Sequence, residues 1–297
     1  MGECPFYYEA NYNISIWRLC FMETKIGLGY SSLLVDIIIN DYMNDSSQRI
    51  KRLKKLWIGF GFFFLFGSSA SAQVTHLNYI GTFGIFGTVG KIENQLTQNT
   101  NTYEIDTKVT LAGLAKLLLG GQTEHYVSKG HIENGLMVSD FYQMITHKRD
   151  KIKSKEYTID HKKKQIVKRT REWKDEKLVN DKSETLEFYA KDDLLTLYFN
   201  LGHATKEGGK VYLFKAVGLE KQDGEVYVTV PNKGEEEVYK KDLGEGAKRY
   251  AKALIHQKNF RKKKGDILLA VGEDGFIYQS VIKDILLYGD AKLVRVK

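Results

Sequence analysis

The chain has 297 residues, with 45 Lys+Arg against 37 Asp+Glu for a net charge of +8, and 42% of its residues are hydrophobic. The composition is globular, and the two cysteines, Cys4 and Cys20, both stand within the first 20 residues. A disulfide framework is thereby excluded for everything downstream.

Residues 1–42 mix aromatic and apolar side chains (Phe6, Tyr7, Tyr8, Ile14, Trp17) without lasting period; they read as a mis-called start or a disordered extension. The pattern changes at Met43. Arg49, Lys51, Arg52, Lys54 and Lys55 lead into an apolar core over residues 56–67, and Ala70-Ser71-Ala72 supplies the small residues at which a signal peptidase cuts. That core is about 12 residues long, short of the ~20 that a spanning helix needs. Residues 43–72 are therefore expected to be a signal peptide cleaved after Ala72, with a periplasmic product starting at Gln73. No cysteine stands at the cut to carry a lipid.

Residues 73–297 are expected to form one β-rich domain. They retain 38 basic and 31 acidic residues, and the segment 148–177, with 13 basic and 6 acidic side chains, holds the whole excess of +7. For a cytosolic chain this would raise nucleic acid as a partner. For an exported one the expected partners are lipid, lipopolysaccharide or another anionic envelope polymer, or an envelope protein complex, and not nucleic acid.

Strand signals dominate in chain order. Residues 76–96 alternate apolar and small residues and read as one glycine-bearing strand, paired with 103–111; residues 111–119 are a short helix or a strand end. Residues 124–129 and Ile132 read as strand interrupted at Gly130, and Asn134-Gly135 as a tight turn with positive φ. Residues 157–161 and 165–174 form a hairpin around Lys162, Lys163 and Lys164, followed by a polar turn at 178–182 and a strand at 185–189. Asp192-Asp193 precedes an apolar run to Leu201 that the aspartates can cap as a helix. Residues 211–217, 225–230, 237–241, 267–271, 276–283 and 292–296 read as further strands, with a hairpin turn at Glu273-Asp274-Gly275; residues 248–257 suit either a helix stripe or strand alternation and are read as strand. Many short strands without a βαβ rhythm predict an all-β fold with minor helix, built on an antiparallel sheet.

Several signatures fall in order: Tyr79 before Gly87 and Gly90; Gly130-His131-Ile132 with Gly135-Leu136 and Phe141-Tyr142; Tyr157-Thr158-Ile159-Asp160; and Asp192-Asp193-Leu194-Leu195 with Tyr198. Together they resemble the bacterial family known as domain of unknown function 3108, whose members are exported envelope proteins. The resemblance covers most of residues 74–203 and departs where Met137 and Val138 replace an expected proline. It implies a strongly curved antiparallel sheet, an open barrel-like half-barrel, and no established reaction. The glycines at 81, 84, 87 and 90 agree, since they permit bulges and coiling. A sheet so bent encloses an apolar concavity, for which Phe83, Phe86, Phe141, Tyr142 and Tyr198 are the candidate ligand-binding side chains.

The chemistry-bearing residues point to no reaction. Gly90-Lys91 lacks the earlier glycine and the following hydroxyl of a phosphate loop, having Ile85 and Ile92 there. The seven histidines form no close pair. His125 and His131 would lie ~20 Å apart on a straight strand, so no metal and no cofactor are expected. Asp192-Asp193 and Asp160 read as cap and turn residues, and no catalytic residue is expected. Binding of an apolar or amphipathic ligand, with Lys162, Lys163, Lys164, Lys168, Arg169 and Arg171 meeting anionic groups, is the leading expectation. A scaffold role in an envelope complex is the alternative, and a carbohydrate hydrolase using Asp160, Asp192 or Asp193 a distant third.

Overall fold

The computed structural model describes residues 72–118, 121–219, 223–255, 265–285 and 289–296. The expected signal peptide up to Ser71, the segment before it and both cysteines lie outside them. The described chain is the all-β fold expected. Its first half supplies β1 (Gln73–Phe83), β2 (Thr88–Gln98), β3 (Thr102–Leu111), β4 (Thr123–Glu133), β5 (Leu136–Lys148), β6 (Lys151–Asp160), β7 (Gln165–Lys174) and β8 (Lys177–Thr185). The second supplies β9 (Asp192–Asp193), β10 (Lys210–Val217), β11 (Glu225–Val230), β12 (Arg249–Ile255), β13 (Gly265–Val271), β14 (Ile277–Ile285) and β15 (Gly289–Val296). Helices α1 (Gly113–Leu118), α2 (Leu194–Ala204) and α3 (Glu236–Leu243) interrupt them.

All fifteen strands belong to one open sheet in the order β8-β7-β6-β5-β4-β3-β2-β1-β15-β14-β13-β12-β11-β10-β9. Each half is a meander in which neighbours in sequence are neighbours in space. The halves join where β15 pairs antiparallel with β1, Asn78 opposite Val296 and Phe83 opposite Ala291. Among the described residues only the two-residue β9 pairs in parallel, with the end of β10.

Helix α2 links the halves and packs against both, touching β4 and β5 on one side and β10 and β14 on the other. Leu197 and Leu201 join Val226, Val228, Leu269 and Ile277 of the second half, whereas Phe199 joins Leu77, Leu96, Tyr103 and Ile105 of the first. The sheet must curl for one helix to meet both wings. Val217 at the end of β10 shares a core with Tyr142 of β5, and Ser139 N donates to Lys191 O (3.1 Å).

Four local expectations are corrected. Residues 76–96 are not one strand but the hairpin β1–β2, because Gly84 and Gly87 take φ of 42° and 63° and the chain reverses between them. The strand read at 124–132 is not interrupted at Gly130; it continues through a bulge between Lys129 and Gly130. The polar turn at 178–182 is strand β8, and its expected successor at 185–189 is a connection instead. Residues 237–241 are helical in α3, with Glu236 and Glu237 in the first turn and Lys240 and Lys241 in the last, the arrangement the helix dipole favours.

Candidate functional site

The basic hairpin exists as read: β6 and β7 pair from Lys151↔Lys174 to Asp160↔Gln165, and β8 extends the ribbon. Four of the six cations expected to meet anionic groups are, however, paired within the protein. Lys168 Nζ meets Glu184 Oε1 at 2.8 Å, Arg169 forms a two-point contact with Asp181 (2.8 and 2.6 Å), and Arg171 pairs with Glu156. Asp181 and Glu184 are accordingly held below the usual carboxylate range, in each case chiefly by these side-chain hydrogen bonds. Lys163 pairs with Asp160 at 3.2 Å. Lys162 and Lys164 stand exposed at the turn and form no ion pair among the described residues. Polar strand β8 supplies acidic partners that the segment 148–177 alone does not reveal.

The five aromatic candidates are not brought into one lining. Phe83 and Phe86 stack on each other at the β1–β2 hairpin, 6.0 Å between centroids. Tyr142 is buried and stacks on Tyr157, and Tyr198 of α2 packs edge-on against Tyr79. Phe141, the half-buried neighbour of Tyr142, projects from the opposite face of β5.

Where the concavity was expected, α2 brings polar side chains into the interior. Asp193 is fully buried and caps the helix, accepting from Leu195 N (2.7 Å) and Thr196 N (2.9 Å). Its other oxygen accepts from Ser128 Oγ at 2.6 Å and Thr196 Oγ1 at 2.8 Å. Tyr103 OH closes the cluster on Thr196 Oγ1 at 2.6 Å. Burial raises the Asp193 carboxyl, with these hydrogen bonds opposing. Burial, and next the charge of Asp193, push Asp192 up to about 7, while Lys191 pulls the other way. A carboxyl enclosed by its own helix and two strands has no face for a sugar, so Asp193 acts as a cap. Asp160 is likewise a turn residue, accepting from Lys163 N at 2.9 Å, the bond that chiefly lowers its carboxyl.

One grouping was not legible in the sequence. His131 on β4, Asp140 on β5 and His161 just after β6 converge at one end of three adjacent strands. Asp140 Oδ1 lies 3.0 Å from His131 Nδ1 and 3.2 Å from His161 Nε2. Tyr189 OH lies 2.7 Å from the other nitrogen of His161. Spacing along the chain is uninformative here because the three residues come from separate parts of the meander, β4, β5 and the turn after β6. The only local signal was Gly130 beside His131.

No protein-family model matches this chain, and no curated protein matches it. Among solved structures, the chain is similar to the crystal structure of a β-barrel-like protein of domain of unknown function DUF1849 from Brucella abortus, with 10% identity, a TM-score of 0.45, and coverage of 75% of this chain and 95% of that one.

Proposed function

We propose that this chain is an exported, non-catalytic envelope protein that works by docking: an open sheet packed on α2 carries an exposed ribbon, β7–β8, to another envelope protein. The observation that carries this reading is the exposure of that ribbon. Strand β8 has no buried residue and β7 has one, Ile166, so the pair adds little to any core. Leu178 and Val179 stand more than half exposed near the turn, and β8 is an edge of the sheet. An edge strand offers free backbone donors and acceptors to an added extended segment. Export rests on the basic and apolar pattern of residues 43–72, and β1 starts at Gln73, the residue that cleavage would leave first. The likeness to domain of unknown function 3108 is part of the same proposal.

A photo-reactive side chain placed at Asn180 in cells should cross-link one defined envelope protein, while the same group at exposed Lys91 on β2 should not. Equal labelling from both positions, or none from Asn180, removes the docking role. A second reading, contact with anionic lipid or lipopolysaccharide, rests on Lys162 and Lys164, the two of the six expected cations that form no ion pair among the described residues. Each cation near such a surface contributes about 1 kcal/mol. Changing both to Gln should weaken co-sedimentation with anionic liposomes by roughly tenfold or more at low salt if lipid is the partner, and leave it unchanged otherwise.

A further inference from the structure

We propose that His131 Nδ1, Asp140 Oδ1 and His161 Nε2 form a three-ligand site for a divalent transition-metal ion, with zinc the best chemical fit and solvent at the remaining position.

The arrangement is built by the backbone. Strands β4 and β5 are paired from the Asn134-Gly135 turn through His131↔Val138 and Gly130↔Ser139, but the next pair is Lys129↔Phe141. Asp140 is therefore the extra residue of a β-bulge, a device that re-aims a side chain relative to the regular pleat. Gly130 makes the bulge possible. A Cβ there would stand 1.9 Å from Val138 O and 3.0 Å from Asp140 N, so any other residue would force the strands apart. On the third strand, Asp160 Oδ1 fixes the start of the turn through Lys163 N, which holds His161 beside the bulge.

The distances suit a metal. Atoms bound about 2.0–2.1 Å from zinc at tetrahedral angles stand roughly 3.3 Å apart; Asp140 Oδ1 stands 3.0 and 3.2 Å from the two histidine nitrogens, and all three ligand atoms lie within 4.8 Å of one another. Two imidazoles and one carboxylate select zinc, copper or nickel over calcium or magnesium. The partner of His161 is also in place. Tyr189 OH can accept from Nδ1–H, the tautomer that leaves Nε2 free to ligate. Without a metal, His161 Nε2 faces two acceptors, Ser139 O at 2.9 Å and Asp140 Oδ1 at 3.2 Å, and a single N–H must be shared between them.

A contrasting pair lies on the same sheet. His125 Nε2 meets Asp106 Oδ2 at 2.8 Å, one nitrogen to one oxygen with no third ligand among the described residues, as an ordinary hydrogen bond requires. The proposed site also opens outward: the side chains of His131 and Asp140 are 41% and 47% exposed, so an ion can load from solution and keep a water.

The test is zinc titration of the full, untagged chain after chelator treatment. One equivalent should bind with micromolar or tighter affinity, raise the melting temperature, and give with cobalt the visible absorption of a four-coordinate site. Asp140→Asn and His161→Gln should each weaken binding at least tenfold, whereas His125→Gln should leave it unchanged. If either ligand variant fails to fold, the wild-type stoichiometry and cobalt spectrum decide. Absence of one-to-one zinc binding, an octahedral cobalt spectrum from surface sites, or affinity that ignores Asp140→Asn overturns the proposal.

Discussion

At the scale of single residues, Asp193 concentrates the most interactions. Its carboxylate satisfies two α2 amides and two hydroxyls from inside the fold, so removing it deletes a cap worth about 1 kcal/mol and leaves buried donors unpaired at about 1–3 kcal/mol. Asp193→Ala should therefore cost roughly 2–4 kcal/mol, a fall of about 5–15 °C in melting temperature for a domain this size. Asp193→Asn, which keeps one acceptor for the helix, should lose less than half of that. An equal loss in the two variants would mean that charge, not capping, matters. The neighbouring Asp192 makes a separate prediction in pH. With its folded-state carboxyl at about 7 and an unfolded value near 4, the folded protein holds a proton that the unfolded chain has released throughout that window. Stability should then decline as pH rises from about 4 to 7 and level off above it. Three pH units at 1.36 kcal/mol each set a ceiling of about 4 kcal/mol. Melting curves of Asp192→Asn should show a flatter profile across this range than the wild type; parallel profiles would refute the assignment.

At the scale of elements, local chemistry was legible and tertiary context was not. Asn134-Gly135, with φ of 53° and 77°, and the turns at 162–164 and 273–275 carry their signal in a few residues. So does the Asp193 cap. Strand β8 was misread because both its faces meet water and no alternation survives. Helix α3 was misread because Val238 and Tyr239 suit a strand, although the acidic start and basic end of that segment offered a helix signal. The site at His131, Asp140 and His161 depends on strand order and a bulge, which no spacing reveals. The seating of α2 depends on one amide. Asn200 Oδ1 accepts from Met137 N at 3.1 Å and its Nδ2 donates to Met137 O at 2.7 Å, so the side chain bonds β5 as a neighbouring strand would. Asn200→Leu keeps the volume but leaves both buried backbone groups unpaired, a cost of about 2–4 kcal/mol. Hydrogen exchange should show β5 near Met137 losing protection before the rest of the sheet. Uniform loss across all strands would indicate that the helix is held by apolar packing alone.

At the scale of the whole molecule, the pairing of β1 with β15 is the contact that sequence reasoning could least foresee, because more than 200 residues separate Asn78 from Val296. Everything else in the sheet is built from neighbours in sequence. Non-local pairings gain nothing until a large loop is closed, so this one forms late and folding should be slow, on the millisecond-to-second scale. The same seam predicts how the chain responds to being cut. Removing residues 289–297 strips the partner from two strands at once, exposing the edges of β1 and β14 and separating the wings that α2 bridges. The truncated protein should lose its single cooperative melting transition. The ends can instead be joined, since Val296 lies opposite Asn78 and the five residues back to Gln73 span only ~17 Å at ~3.3 Å each. A circular permutant with a linker of about six residues between Lys297 and Gln73, reopened in the exposed loop between Gly208 and Gly209, keeps every strand pair, makes only the two-residue β9–β10 pairing distant in sequence, and should fold. It should fold faster than the parent, because the β1–β15 contact has become local. Stopped-flow refolding of parent and permutant measures this directly. A permutant that folds more slowly, or a truncation that still melts as one unit, would show that the two meanders are independent and that the seam does not couple them.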